Sequence, residues 1–174
     1  MIDYDGKNKL TISLFVIYLI ALVWILLFKL GAQFSYIENR EVNFIPFGTT
    51  LLNGKIDFIE TFMNIVIFIP LGIYNGIFLK GWAWKRKIFF FFLISLVFEA
   101  IQFIFKLGAF DITDTITNTF GGTIGLILFI TIEKGLKNSS KAQKLINIVA
   151  TIGTFLMILF LLLLKTNNLW IRYQ

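Results

Sequence analysis

Residues 88–105 read I-F-F-F-F-L-I-S-L-V-F-E-A-I-Q-F-I-F and carry one charge, that of Glu99. A helix that crosses a membrane needs about 20 predominantly apolar residues, and this run is close to that length. A carboxylate inside such a segment must be paired, protonated or hydrated. The run therefore predicts a membrane-spanning helix that presents a polar group to the interior of a bundle.

The composition of the whole chain indicates an integral membrane protein. Of its 174 residues, 57% are hydrophobic and 15% are charged, and the mean hydropathy is +0.83. Soluble domains have about 45–50% apolar and about 25% charged residues, and disordered chains have low hydrophobicity, so both classes are excluded. The chain has no Cys and no His, which excludes disulfides, thiolate and imidazole metal ligands, cysteine nucleophiles and a Ser-His-Asp triad.

Five apolar runs approach the length of a membrane span, and no strand alternation typical of a β-barrel is visible. They are Leu10–Phe28, Phe62–Leu79, Ile88–Phe105, Ile116–Ile132 and Leu145–Leu164. The first run is too long for the apolar region of a signal peptide, and no clear A-x-A site follows it. We predict an all-α bundle of five transmembrane helices. The loop Lys29–Thr61 should be partly embedded, because its middle, Asn43–Leu52, is too apolar for a free loop.

The distribution of Lys and Arg predicts the orientation of the bundle. The N-terminus and the second and fourth loops together carry ten of these residues in short segments, whereas the other side carries six. The positive-inside rule then places the N-terminus in the cytoplasm and the C-terminus outside. The net charge of +6 is therefore assigned to membrane orientation, and no nucleic-acid partner is predicted.

Polar residues in and beside the spans gather at the end of the bundle that this orientation places outside, and such residues tend to face a bundle interior. They are Asn43, Asn64, Glu99, Gln102, Asp111, Asp114 and Asn118. Helical spacing aligns Ser95 with Glu99 and Gln102 on one stripe, and Asp114 with Asn118 and the glycines of a G-x-x-x-G motif on another. We predict that the seven polar residues form a binding pocket.

Four residues of structural type accompany the pocket, and the first is Pro46, in the outer loop. Gly121 and Gly125 form the G-x-x-x-G motif, which permits close approach of another helix. Pro70 lies inside the second span, where its missing N–H frees a carbonyl and predicts a kink.

The polar residues also have purely structural interpretations. Asp111 or Thr113 can cap the fourth helix, and Asp114 is favourable at its positive N-terminus, which explains the aspartates about as well as a binding site does. Asn64 and Gln102 can serve as interhelical hydrogen-bond partners. Lys106, seven residues after Glu99, can pair with that carboxylate. The sequence leaves these alternatives open.

Four blocks, in this order, resemble the VanZ-like family of bacterial membrane proteins. They are V-N-F-I-P-F (Val42–Phe47), N-I-V-I-F-I-P-L-G (Asn64–Gly72), F-E-A-I-Q (Phe98–Gln102) and F-D-I-T-D-T-I-T-N-T-F-G-G-T-I-G (Phe110–Gly125). The polar signature of the family falls on Asn43, Pro46, Asn64, Pro70, Glu99, Gln102, Asp111, Asp114 and Asn118. Where many members carry an arginine shortly before the aspartate block, this chain has G-A-F-D, and its nearest cation is Lys106.

The apolar runs, the Lys and Arg count and the resemblance together predict a division of the chain and a location. Residues 10–132 form the helical core, with the motifs in 42–131, between a cytoplasmic N-terminus (1–9) and a cytoplasmic loop (133–144). Residues 145–174 form an additional C-terminal helix and outer tail. The implied location is the bacterial cell membrane, with multiple spans, and the implied role is at the cell envelope. The family takes its name from a member that protects against teicoplanin without belonging to the enzymes that remodel the peptidoglycan terminus.

Three functions are considered. The first is a non-enzymatic envelope protein that lowers susceptibility to teicoplanin-type glycopeptides, with the outer pocket binding a lipid, a cell-wall precursor or the drug. The second is a membrane-embedded enzyme acting on an envelope lipid, in which Glu99, Asp111 and Asp114 act as acid and base or hold a divalent cation. No nucleophile–base pair or metal motif is visible, so no metal or cofactor is predicted. The third is a small transporter. No inverted repeat is visible in this sequence, and a transporter would need polar residues in the inner half of the bundle as well. The ligand and the oligomeric state are left open.

Overall fold

The computed structural model describes residues 8–28, 42–47 and 58–166. Within these ranges it contains five helices, each long and apolar enough to cross a membrane, which confirms the predicted all-α membrane architecture. The helices are α1 (Lys9–Phe28), α2 (Phe58–Phe78), α3 (Trp84–Ile104), α4 (Ile112–Leu136) and α5 (Ser139–Thr166), and two short strands are β1 (Val42–Asn43) and β2 (Phe110–Asp111). The chain is thus a multi-pass membrane protein.

Polar caps make the helices longer than their apolar runs. Helix α4 starts four residues before the predicted Ile116, because the Oδ1 atom of Asp111 accepts a hydrogen bond from the N–H of Thr113 at 2.7 Å. Helix α5 starts well before its apolar run, because the Oδ1 atom of Asn138 accepts from the N–H of Lys141 at 3.0 Å. Such caps satisfy N–H groups that have no partner inside the helix.

Helices α2 and α4 form the centre of the bundle and touch through glycines. A Cβ atom added to Gly125 would lie 1.9 Å from the carbonyl oxygen of Ile69, and one added to Gly121 would lie 2.1 Å from that of Ile65. Gly72 contributes from the other side, because its Cβ would lie 1.9 Å from the carbonyl oxygen of α4 residue 122. The two backbones are therefore in direct contact over several turns, as small residues at an interface allow.

The buried core lies where α1, α3 and α4 meet α2. Its centre, here called the central apolar cluster, consists of Phe68, Leu71, Phe91 and Leu126, which are at most 2% exposed, and two leucines of α1 extend it. Most of the remaining large apolar side chains face outward, as expected for helices surrounded by lipid.

Helix α5 joins the bundle through a buried polar contact with α1. The hydroxyl of Thr11 accepts hydrogen bonds from the Nε2 atom of Gln143 at 2.8 Å and from the Nδ2 atom of Asn147 at 2.9 Å. All three side chains are at most 5% exposed. From Ile148 onward, none of the described α5 side chains is buried, so the helix packs on the bundle by its first turns alone.

The predicted loop Lys29–Thr61 is described in part. Residues 42–47 form β1 and a turn, and β1 pairs in parallel with β2. The rest of that loop before α2, residues 29–41 and 48–57, lies outside the described residues, as do residues 1–7 and the tail 167–174.

Candidate functional site

The strand pair brings three of the predicted site residues together. Asn43 lies directly opposite Asp111 in the two-residue ladder. The Nδ2 atom of Asn43 donates to the Oδ2 atom of Asp111 at 3.2 Å, and the backbone N–H of Asp111 donates to the Oε2 atom of Glu99 at 3.1 Å. Residues far apart in the sequence therefore form one hydrogen-bonded chain that joins the loop to α3 and α4.

The turn after β1 is tied to the start of α4. The Oδ1 atom of Asn43 accepts from the N–H of Ile45 at 3.1 Å, and the N–H of Phe47 donates to the hydroxyl of Thr113 at 2.9 Å. Pro46 is exposed within this turn, and Phe47 has a positive φ of 59°. The predicted structural proline thus lies in a loop that covers the N-terminus of α4.

A second predicted pair links the two central helices. The Nδ2 atom of Asn64, on α2, donates to the Oδ1 atom of Asp114, on α4, at 2.8 Å. This bond lies on the same side of α2 and α4 as the glycine contact. Asn64 is next to Ile65, whose carbonyl faces Gly121, and Asp114 lies two helical turns before Gly121. The carboxylate of Asp114 also lies in the first turn of α4, where the helix dipole favours a negative charge.

A third contact lies deeper in the bundle, between α3 and α4. The Nδ2 atom of Asn118 donates to the hydroxyl of Ser95 at 2.9 Å, and the two residues are 1% and 0% exposed. Among the described residues, the Oδ1 atom of Asn118 and the hydroxyl of Thr115 have no hydrogen-bond partner. Buried polar groups are satisfied in the great majority of cases, so these oxygens are exceptions that call for a donor.

Gln102 forms a hydrogen bond between two helices, which is the structural interpretation that the sequence left open for it. Its Nε2 atom donates to the carbonyl oxygen of Leu26 at 2.6 Å, and that carbonyl lies in the last turn of α1, where helical partners run out. Its Oε1 atom is buried and has no partner. Gln102 is therefore both an interhelical contact and a further unsatisfied acceptor.

Glu99 is buried, with 3% of its surface exposed. The proposed structural partner, Lys106, makes no ion pair with it, and Lys106 occupies a positive-φ position after α3. Glu99 instead accepts from the backbone of Asp111.

The carboxylates have separate structural partners. Asp111 caps α4, Asp114 bonds Asn64, and Glu99 accepts from the backbone. Within the described ranges, no group of three or more His, Cys, Asp or Glu side chains is arranged to hold a metal ion. What the cluster does offer is a set of oxygen acceptors, which suits a ligand rich in hydroxyl, amide or amine donors.

Sequence reasoning missed several buried polar residues. Thr113 and Thr115 lie in the quoted aspartate block, and their positions on α4 next to Asp111 mark them as members of the cluster. Asn75 and Lys87 are buried at the opposite end of the bundle, 4% and 7% exposed. Asn75 was detectable, because it is an amide inside an apolar run.

Fold and geometry define the class of this protein as a multi-pass helical membrane protein with a hydrogen-bonded polar cluster at one end of its bundle. A model of the VanZ/LLP1 family matches residues 15–134. Protein VanZ from Enterococcus faecium is 39% identical over 159 residues, which cover 89% of this chain and 92% of that protein. The chain belongs to the VanZ/LLP1 family, which confirms the resemblance seen in the motifs. No solved structure matches it.

Proposed function

We propose that the protein lowers the susceptibility of the bacterial cell to teicoplanin-type glycopeptides, through a ligand bound at the polar cluster. The name of the family and of the relative from Enterococcus faecium suggests this role. The single observation that carries the proposal is that the motif blocks place their polar residues at one end of the bundle, in several hydrogen-bonded groups with unsatisfied oxygens among the described residues.

The ligand is a donor-rich group of an envelope lipid, a cell-wall precursor or the drug itself. Support comes from the three buried oxygens without partners, on Gln102, Thr115 and Asn118. Each lacks a donor, and a buried acceptor without one costs about 1–3 kcal/mol. A ligand that supplies hydroxyl or amide donors would recover part of that cost on binding.

The proposed orientation turns the cluster toward the outside of the cell. The excess of Lys and Arg at the other end of the bundle supports it through the positive-inside rule. Glycopeptides and the precursors they bind are met on the outer side of the membrane, so this orientation and the proposed role agree.

The proposal is tested by drug susceptibility in a sensitive Gram-positive host. The strains express the wild type, Glu99→Gln, Asp114→Asn or Glu60→Gln, and their growth is measured in teicoplanin and in vancomycin. Glu60 is the matched control, because it is an exposed carboxylate at the same end of α2. We expect the first two variants to fall to the level of the empty vector and Glu60→Gln to protect like the wild type.

Membrane levels of each variant are measured in parallel by immunoblot. If Glu99→Gln and Asp114→Asn protect fully, or if a well-expressed wild type protects against neither drug, the proposal is wrong. In the latter case the family name does not describe this chain, and the lipids of the envelope become the next object of study.

Transport is a second candidate, favoured by a specific observation. Asn75 and Lys87 are buried in the half of the bundle opposite the cluster, so polar groups lie on both sides of the central apolar cluster. A transporter exposes its binding site alternately to the two sides of the membrane. The chain has no cysteine, so Ser95→Cys can be probed with a membrane-impermeant maleimide from either side. Labelling from both sides supports transport, and labelling from the outside alone supports a static site.

A further inference from the structure

A second buried polar region lies beyond the central apolar cluster. Lys87 is one helical turn from Phe91 on α3, and Asn75 is one turn from Leu71 on α2. Phe91 and Leu71 belong to the same buried cluster, so Asn75 and Lys87 lie just beyond one shared layer of apolar side chains. Ser95 lies on the other side of that layer.

Within the described part of the chain, neither side chain has a hydrogen-bond partner. The side chain of Asn75 is 4% exposed, and both its Nδ2 and its Oδ1 atoms have no hydrogen-bond partner. Lys87 is 7% exposed and makes no hydrogen bond or ion pair within the described part of the chain. Buried amides are normally hydrogen-bonded, so the side chain of Asn75 calls for a partner. Lys87 buries its alkyl stem, whereas its ammonium group stays accessible to a partner.

The neighbouring carboxylate is already engaged. Glu133 forms an ion pair with Lys80 and accepts from the hydroxyl of Ser139 at 2.5 Å. The charges of both Glu133 and Lys80 act on Lys87, so one carboxylate faces two ammonium groups. Among the described residues the region therefore carries net positive charge, and the amide of Asn75 lies at the same level of the bundle.

We propose that Asn75 and Lys87 form a second site, which binds a phosphate group. Phosphate oxygens accept from both the ammonium and the amide N–H, and charge-assisted hydrogen bonds of this kind are the strong ones. Trp82 and Trp84, at the same end, are the side chains that mark the level of lipid head groups. The phosphate is either a lipid head group or free phosphate. The site lies at the end opposite the polar cluster and shares no residue with it, so it goes beyond the function proposed above.

The test uses the full chain in nanodiscs. The discs contain a phosphate-free glycolipid alone, that glycolipid with phosphatidylglycerol, or that glycolipid with inorganic phosphate in the buffer, because phosphatidylcholine would itself present a phosphate group. Binding is measured by the rise in unfolding temperature and by native mass spectrometry of retained lipid. Lys87→Met is compared with Lys85→Met, which removes the same charge from an exposed neighbour. We expect Lys87→Met to weaken binding about tenfold or more, and Lys85→Met to change it less than about twofold.

Each outcome either tests whether the site exists or distinguishes a lipid head group from free phosphate. A response to phosphatidylglycerol alone supports a lipid head group, and a response to inorganic phosphate supports free phosphate. Equal weakening by Lys85→Met and Lys87→Met shows general surface attraction and overturns the site, as does a wild type that responds to neither probe. If Lys87→Met does not fold, Asn75→Asp replaces it, because a carboxylate beside Lys87 competes with phosphate. Wild-type binding by Asn75→Asp overturns the proposal.

Discussion

Replacement of Gly125 by alanine should separate the two central helices. The new Cβ atom would lie 1.9 Å from the carbonyl oxygen of Ile69, whereas ordinary contact begins at 3.4 Å, so the backbones must part by about 1.5 Å. Backbone atoms cannot rotate away as a side chain can. Overpacking of this kind costs about 1–3 kcal/mol or more. At the upper value the unfolding temperature falls by roughly 6–12 °C for a chain of this size.

The same separation reaches the polar cluster. The bond between Asn64 and Asp114 crosses from α2 to α4 and measures 2.8 Å, so a comparable displacement breaks it. Protection against teicoplanin should therefore be lost together with stability. The assays are thermal unfolding of the purified protein in detergent and drug susceptibility of the expressing strain.

Gly135→Ala is the matched control on the same helix. A Cβ atom at Gly135 meets nothing within 4 Å, and alanine stabilises a helix by about 0.5–1 kcal/mol relative to glycine. The control should unfold at or above the wild-type temperature. If Gly125→Ala and Gly135→Ala unfold at the same temperature, the contact between α2 and α4 is not as close as the geometry requires.

Three further perturbations test other parts of the molecule. Thr11→Val leaves the amides of Gln143 and Asn147 buried without their shared partner, and we expect a loss of about 1–3 kcal/mol in unfolding by denaturant. Asn64→Leu removes the donor from the α4 carboxylate and should lower the unfolding temperature and abolish protection against teicoplanin. Lys85→Cys should escape an impermeant maleimide in intact cells and react after permeabilisation, if the basic end faces the cytoplasm.

Two of these variants, Thr11→Val and Lys85→Cys, have a matched comparison. Thr131→Val removes a hydroxyl that bonds only within its own helix on the exposed side of α4, and it should be nearly neutral. A loss as large as that of Thr11→Val would contradict the argument from shared partners. Ile45→Cys, in the exposed turn after β1, should react in intact cells. Labelling of Lys85→Cys before permeabilisation would show that the basic end faces outside, opposite to the proposed orientation.

The membrane fold was predictable because lipid imposes length and apolarity on every span. Glu99 and Asn118 were detectable for the same reason, since a polar group inside an apolar run is expensive and therefore conspicuous. The pairings between such residues were not predictable. Asn43 meets Asp111 through a ladder of two residues, and nothing in either segment specifies its partner or its register.

The central helix contact shows the same limit. The G-x-x-x-G motif predicted a close approach at Gly121 and Gly125, but its partner could be any helix. Helix α2 is that partner because Gly72 removes a side chain from the opposite surface. Lys87 was counted among loop charges because the apolar run starts at Ile88. Helix α3 starts at Trp84, and this extra turn carries Lys87 into the buried stripe.

The packing of the helices also determines which helix would have to move for a ligand to pass between the polar cluster and the region of Asn75 and Lys87. Helices α2 and α4 touch through backbone atoms and cannot slide apart without losing that contact. Phe91, which separates the two regions, belongs to α3 and rests on Gly122, where an added Cβ would lie 2.7 Å from its ring. The chain leaves α3 through Lys106, whose φ of 57° already departs from helical backbone. Passage would therefore require α3 to swing away from the α2–α4 pair.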